Sequence, residues 1–91
     1  MQSPFLIYRD LLLDAHYGTI ERLKRIVLNL YNEQAYPTVA LGSFLAGADE
    51  KHTRMLLEML EWYGRYTEND PHFLSLGDEL AKLYRQDIES D

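Results

Sequence analysis

The chain of 91 residues carries 9 basic and 15 acidic side chains, a formal net charge of −6, and no cysteine. The lack of cysteine excludes disulfides, thiolate metal sites and thiol chemistry. The acidic balance disfavours nucleic acids and anionic membranes as partners, because both are bound largely through lysine and arginine. The hydrophobic content of 46% is ordinary for a folded protein, so we expect one domain over residues 1–91.

The N-terminal segment, MQSPFLIYRDLLLD, is the place to look for a targeting sequence. It lacks the basic start of a signal peptide, and charged residues interrupt its apolar run. It is also too interrupted to cross a bilayer, which takes about 20 mostly apolar residues. The sequence therefore predicts a cytoplasmic protein.

A first helix is expected over residues 4–16, because serine followed by proline is a typical helix start. Its broad apolar face includes Ile7. Leu6 and Leu13 lie seven residues apart and share a different side of the helix. Either the C-terminal segment covers these two leucines, or they form a patch for self-association. The second explanation predicts a homodimer through the first helix, since a two-fold dimer is the commonest way to cover such a patch.

A second helix is expected over residues 20–31. Its polar face contains Arg22, Lys24 and Arg25, the main concentration of positive charge in the chain. Arg22 and Lys24 point in nearly opposite directions on a helical wheel, and Glu21 is placed to pair with Arg25 one turn later. We interpret this face as solvated rather than as a phosphate-binding site.

The stretch from Asp49 to Tyr66 predicts the helix around which the others pack. Asp49 is a good N-cap, and the apolar side covers roughly 220° of the wheel, more than a surface helix needs. A short helical turn over residues 39–46 precedes it, and a last helix is expected over residues 76–87. The stretch 67–71 reads as a turn. Together these elements predict an all-α bundle of four main helices plus one short helical turn.

A resemblance spans roughly residues 5–73 and rests mostly on hydrophobic spacing. The positions that carry it are Gly18, Thr19, the run 26–32 (IVLNLYN), the loop at Pro37, Leu41, Leu45 and Asp49. In these positions the chain resembles an uncharacterised family of small helical proteins from proteobacterial plasmids, integrative elements and phages. The resemblance implies an accessory protein of a mobile element, and it implies no catalytic residue.

Chemically active arrangements are not apparent in the sequence. His16, His52 and His72 share no helix and no metal-binding spacing, so no metal and no cofactor are predicted. His52 could act as a ligand together with Asp49, but we interpret it as a histidine at a helix start or core edge. The glycines are isolated, and no P-loop or nucleophile elbow is present. The sequence therefore predicts a protein that is not an enzyme.

Two functions remain. The first is a helical protein–protein interaction module, with Leu6, Leu13, Trp62 and Tyr66 as candidate contact residues, because aromatic side chains are favoured at interfaces. Its partner is an unidentified protein, or a second copy of the chain. The alternative is an acidic inhibitor that mimics nucleic acid and blocks a host nucleic-acid-binding or defence factor, which the net charge of −6 in residues 46–91 suggests.

Overall fold

Six α-helices make up the computed structural model, which describes residues 2–89 and the side chains of residues 2–85. The helices are α1 (Pro4–Ile7), α2 (Arg9–Asp14), α3 (Gly18–Tyr31), α4 (Leu41–Gly47), α5 (Glu50–Tyr66) and α6 (Pro71–Glu89), with a 3-10 turn at Thr67–Asn69. No strand occurs over residues 2–89, so the all-α prediction is confirmed. Over these residues the structure has six helices where the sequence predicted four helices and one short turn. The predicted first helix is divided into α1 and α2, and the predicted short turn corresponds to α4.

The break between α1 and α2 falls at Tyr8, whose φ and ψ are −97° and 6°. The Tyr8 hydroxyl donates a hydrogen bond to Glu58 on α5, and Arg9 Nη1 donates to Ser75 Oγ on α6 at 3.1 Å. Two consecutive residues at the interruption thus contact two different helices. The prediction of one continuous helix over residues 4–16 was wrong, because the helix is interrupted at Tyr8 and ends at Asp14.

The helix at the centre of the fold is α3 rather than α5. It packs against α2, α4, α5 and α6, whereas α5 packs mainly against α1 and α3. The residues that α3 buries are Ile20, Leu23, Lys24, Ile26, Val27 and Leu28. On α5, Met55, Leu56 and Met59 are buried, but Leu57 and Leu60 are exposed. The sequence predicted that other helices contact α5 around roughly 220° of its circumference. This was wrong, because neighbouring helices cover only one side of α5.

The ends of α5 follow the prediction. Asp49 is the N-cap, and its side chain accepts a backbone N–H from the first turn at 2.9 Å. The i,i+4 spacing of Glu50 with Arg54 and of Glu61 with Arg65 also predicts two ion pairs. Both form, at 3.0 Å and 3.6 Å. Both pairs are exposed, so each contributes only about 0.3–0.5 kcal/mol.

The last helix begins at Pro71, five residues earlier than predicted. Asp70 precedes it, and its Oδ1 accepts the backbone N–H of His72 at 2.9 Å, the hydrogen bond of an N-cap. Proline suits the first helical position, because its missing N–H would have no partner there. The early start adds Phe73, which is buried, to the core.

Lys24 does not lie on a solvated face; it lines a small cavity together with residues of α6. The residue is 7% exposed. Its Nζ donates to the Glu21 carboxylate at 3.1 Å and lies 3.3 Å from Nδ1 of His16. Glu21 therefore pairs with Lys24, whereas the sequence predicted a pair with Arg25.

Candidate docking site

A buried carboxylate holds the indole of Trp62 in place. Asp70 is 6% exposed, and its Oδ2 accepts hydrogen bonds from Trp62 Nε1 at 2.9 Å and from Ser3 Oγ at 2.6 Å. Its Oδ1 accepts the N–H of His72, and Ser3 Oγ accepts the N–H of Phe5 at 3.1 Å. We call this arrangement the Asp70 cluster. It fixes the orientation of the indole, because rotation would leave buried polar groups without partners.

The indole of Trp62 also contacts Tyr66, with ring centroids 4.5 Å apart and ring planes at 43°. Beside it lies a groove of about 380 Å³ between α1 and α5. The residues that line this groove are Gln2, Pro4, Ile7, Glu58, Glu61, Trp62 and Arg65. We call it the α1–α5 groove. Its volume is within the range of about 300–1,000 Å³ that is typical of ligand pockets.

The lining of the groove combines apolar side chains, which we call its floor, with charged side chains, which we call its rim. Ile7 contributes to the floor and is 55% exposed. On the rim, Glu61 pairs with Arg65, and Glu58 accepts a hydrogen bond from the Tyr8 hydroxyl. That hydrogen bond to a carboxylate, assisted by burial of the phenol, raises the pKa of Tyr8 above its usual value. An apolar centre with a polar rim is the usual anatomy of a protein–protein contact.

The structure brings some of the predicted contact residues together and separates others. Trp62 lies in the groove and Tyr66 beside it. Leu6 is 38% exposed and precedes Ile7 on α1, but it does not line the groove. Leu13 lies on α2, is half-buried and packs against the core. The two leucines therefore do not form one patch along a single helix.

Sequence reasoning missed the groove residues on α1. Ile7 was expected on the core face of a continuous helix, and the break at Tyr8 leaves it exposed instead. No proline or glycine marks that break in the sequence. Glu58 and Glu61 fall on the polar side of the α5 wheel, and nothing in the sequence indicates that α1 packs beside them.

A second polar cluster joins the start of α5 to the start of α3. Nδ1 of His52 lies 2.6 Å from Asp49 Oδ1, and Nε2 lies 2.6 Å from the Tyr17 hydroxyl. Hydrogen bonds from the backbone and side chain of His52 lower the pKa of Asp49. Both ring nitrogens of His52 are thus used within the chain. Over the described residues, no three histidine or acidic side chains come close enough together to hold a metal ion.

No protein-family model, no curated protein and no solved structure matches this chain. The resemblance to mobile-element proteins therefore stays a prediction that rests on the residues quoted for it. Among the helices of residues 2–89, none combines the length and the apolar composition needed to cross a membrane.

Proposed function

We propose that this protein is a non-enzymatic docking module that binds a segment of another protein in the α1–α5 groove. The observation that carries the proposal is an exposed apolar floor beside a tryptophan whose orientation is fixed by a buried carboxylate. The proposed setting, a cytoplasmic accessory protein of a mobile element, rests on the sequence alone.

The rigidity of Trp62 favours docking on energetic grounds. A side chain that is already ordered loses little conformational entropy when a partner binds, so more of the contact energy appears as affinity. Tryptophan and tyrosine are also the residues most often found to dominate interface energies. Trp62 and Tyr66 are adjacent here, and the Asp70 cluster supports them from the protein side.

Mimicry of nucleic acid, the alternative function, receives less support from the arrangement of acids. A phosphate mimic needs carboxylates that present their charge to solvent without local cations. Instead, Glu50 and Glu61 pair with arginines, and Asp78 lies 3.2 Å from Lys82 Nζ. Asp70 is buried. These contacts reduce the field of the acidic half and favour the docking proposal.

The homodimer hypothesis now depends on Leu6. Leu13 packs against the core, whereas Leu6 stays 38% exposed although α6 packs against both α1 and α2, so the C-terminal segment does not cover both leucines. A second copy of the chain therefore remains a proposal for the occupant of a surface near α1, secondary to a different partner protein.

The test is affinity capture from the native host with mass spectrometry, using the wild type and two matched variants. Ile7→Asp places a charge on the groove floor, and Leu57→Asp makes a comparable change on α5 outside the groove. Ile7 is 55% and Leu57 58% exposed, so both variants should fold. Circular dichroism and thermal unfolding check this.

A partner retained by the wild type and by Leu57→Asp, but lost by Ile7→Asp, supports docking in the groove. The same partner must then bind the purified wild type directly. If every captured protein is held equally by Ile7→Asp and the wild type, the groove is not the docking site and the proposal fails.

A further inference from the structure

The lining of the α1–α5 groove holds one more acidic than basic side chain, since Glu58 and Glu61 face a single Arg65. Glu61 has Arg65 3.6 Å away, so that pair is nearly neutral. Glu58 accepts a hydrogen bond from Tyr8, but a neutral phenol cancels no charge. Within residues 2–85, no lysine, arginine or histidine lies within salt-bridge distance of Glu58. Arg54, one turn earlier, forms its ion pair with Glu50 and acts on the Tyr8 phenol only at longer range.

The indole of Trp62 also favours a cation in the groove. The face of an indole ring carries negative potential and attracts cations within about 6 Å of its centroid. Trp62 lines the same groove as Glu58. A lysine or arginine side chain could lay its apolar stem along Ile7 and Pro4 and place its charged head near the indole and Glu58.

We infer that the groove recognises a partner segment in which a basic residue stands next to an apolar one. The inference rests on the proposed function and adds the chemistry of the partner to it. The net charge of −6 favours the same choice at long range, because it accelerates encounter with a basic segment. An acidic segment would instead bring a carboxylate towards Glu58 in a partly desolvated site.

The probes for the test are three short synthetic peptides of equal length in which leucine alternates with arginine, glutamine or glutamate. None contains tryptophan, so the emission of Trp62, the single tryptophan of the chain, reports binding at the groove. Titration up to about 1 mM detects weak contacts. Low and high salt separate electrostatic from apolar contributions.

Two variants of the protein distinguish a local effect from overall charge. Glu58→Gln removes the charge but keeps an oxygen that can accept from Tyr8. Glu33→Gln makes the same change in net charge in an exposed loop residue away from the groove. We expect Glu58→Gln to weaken binding of the arginine peptide about two- to fivefold, the usual size of one exposed charge contact. Glu33→Gln should leave it unchanged.

The inference is supported if the arginine peptide binds most tightly, the glutamine peptide less tightly and the glutamate peptide most weakly. Glu58→Gln should reduce these differences in affinity, and Glu33→Gln should preserve them. Equal binding of the arginine and glutamine peptides would overturn the inference and leave docking in the groove intact. Absence of binding by all three peptides would also overturn it, while capture with Ile7→Asp decides the proposed function separately. An effect of Glu33→Gln as large as that of Glu58→Gln would assign the preference to net charge and overturn the local site.

Discussion

The ring of Tyr31 on α3 packs directly against the backbone of Gly77 on α6. A Cβ built on Gly77 would lie 2.2 Å from Cδ1 of Tyr31 and 2.5 Å from its Cγ. Real Cβ atoms do not approach other atoms this closely, so only glycine fits while the tyrosine keeps its position. Tyr31 also contacts Phe73 edge to face, with centroids 6.3 Å apart. The contact between α3 and α6 therefore depends on the absence of a side chain at position 77.

We expect Gly77→Ala to destabilise the protein by about 1–3 kcal/mol, the usual cost of overpacking a core. In an open helix the same change would stabilise by about 1 kcal/mol, because alanine is the better helix former. The sign of the effect therefore distinguishes the two situations. Urea unfolding followed by circular dichroism measures it, and Gly64→Ala, with open space around its Cβ position, is the matched control.

The same contact predicts coupling between the two positions. Tyr31→Ala removes the ring that a Cβ at Gly77 would strike, so Gly77→Ala should cost much less in that background. A double-mutant cycle should give a coupling of about 1 kcal/mol or more. Additive effects would mean that the ring moves aside at little cost.

Removal of the Asp70 carboxylate should be strongly destabilising. Asp70→Ala leaves Ser3 Oγ, Trp62 Nε1 and the N–H of His72 without their acceptor, and we expect a loss of about 2–4 kcal/mol. The emission of Trp62 should also shift to longer wavelength as the indole loosens. Asp78→Ala, on an exposed part of α6, should change stability by less than about 0.5 kcal/mol.

Thr67 has φ 48° and ψ −129°, a backbone conformation that is strained for a β-branched residue. Such strain costs about 1–3 kcal/mol, whereas the extra freedom of glycine in the unfolded chain costs about 0.5–1 kcal/mol. Thr67→Gly should therefore raise stability. The same substitution at Thr53, inside α5, should lower it, so thermal unfolding of the two variants should give shifts of opposite sign.

Tyr8 provides a prediction on pH. The hydrogen bond to Glu58 raises the pKa of the phenol in the folded state, so folding favours the protonated form. Its contribution to stability is fully present below the unfolded pKa of about 10 and is lost as the pH rises through the folded pKa. Glu58→Gln should bring the Tyr8 pKa towards its usual value. Carbon NMR of labelled tyrosine, with Tyr8→Phe for assignment, measures the shift.

Because Leu13 packs against the core and Leu6 is exposed, substitution by glutamate should affect stability differently at the two positions. Leu13→Glu should destabilise by about 1–3 kcal/mol, because it puts a charge against the core. Leu6→Glu should leave the fold intact. If the proposed homodimer forms through Leu6, light scattering of the wild type should give twice the chain mass of 10.7 kDa, and Leu6→Glu should halve it.

The long, regular part of the fold could be predicted from the sequence because local signals agree there. Asp49 caps α5 as expected, and Met55 and Met59 fill the core. The start of α6 was predictable in principle: aspartate followed by proline at Asp70 is the same signal as serine followed by proline at Ser3. It was missed because Ser75, followed three residues later by Asp78, resembles a capping box, and the predicted start at residue 76 follows from that pattern.

The candidate site was less predictable because it depends on contacts between distant parts of the chain. At the break, Tyr8 and Arg9 donate hydrogen bonds to side chains of α5 and α6. These acceptors lie 50 and 66 positions further along the chain. Nothing in the local sequence indicates them. The same holds for the exposure of Ile7, and for the central position of α3, which depends on how the other helices cover it.

The hydrogen bond between Ser3 and Asp70 joins positions 67 residues apart, which has a consequence for synthesis on the ribosome. The surface that receives α1 is built from α5 and α6, and at about 5–20 residues per second those 67 residues take about 3–13 seconds to make. Helix formation itself takes only about a microsecond, but α1 has four residues and is too short to be stable alone, so it must wait for its neighbours. During that interval Phe5 and Leu12 have no core to enter, so the segment of α1 and α2 exposes apolar side chains that the finished fold buries.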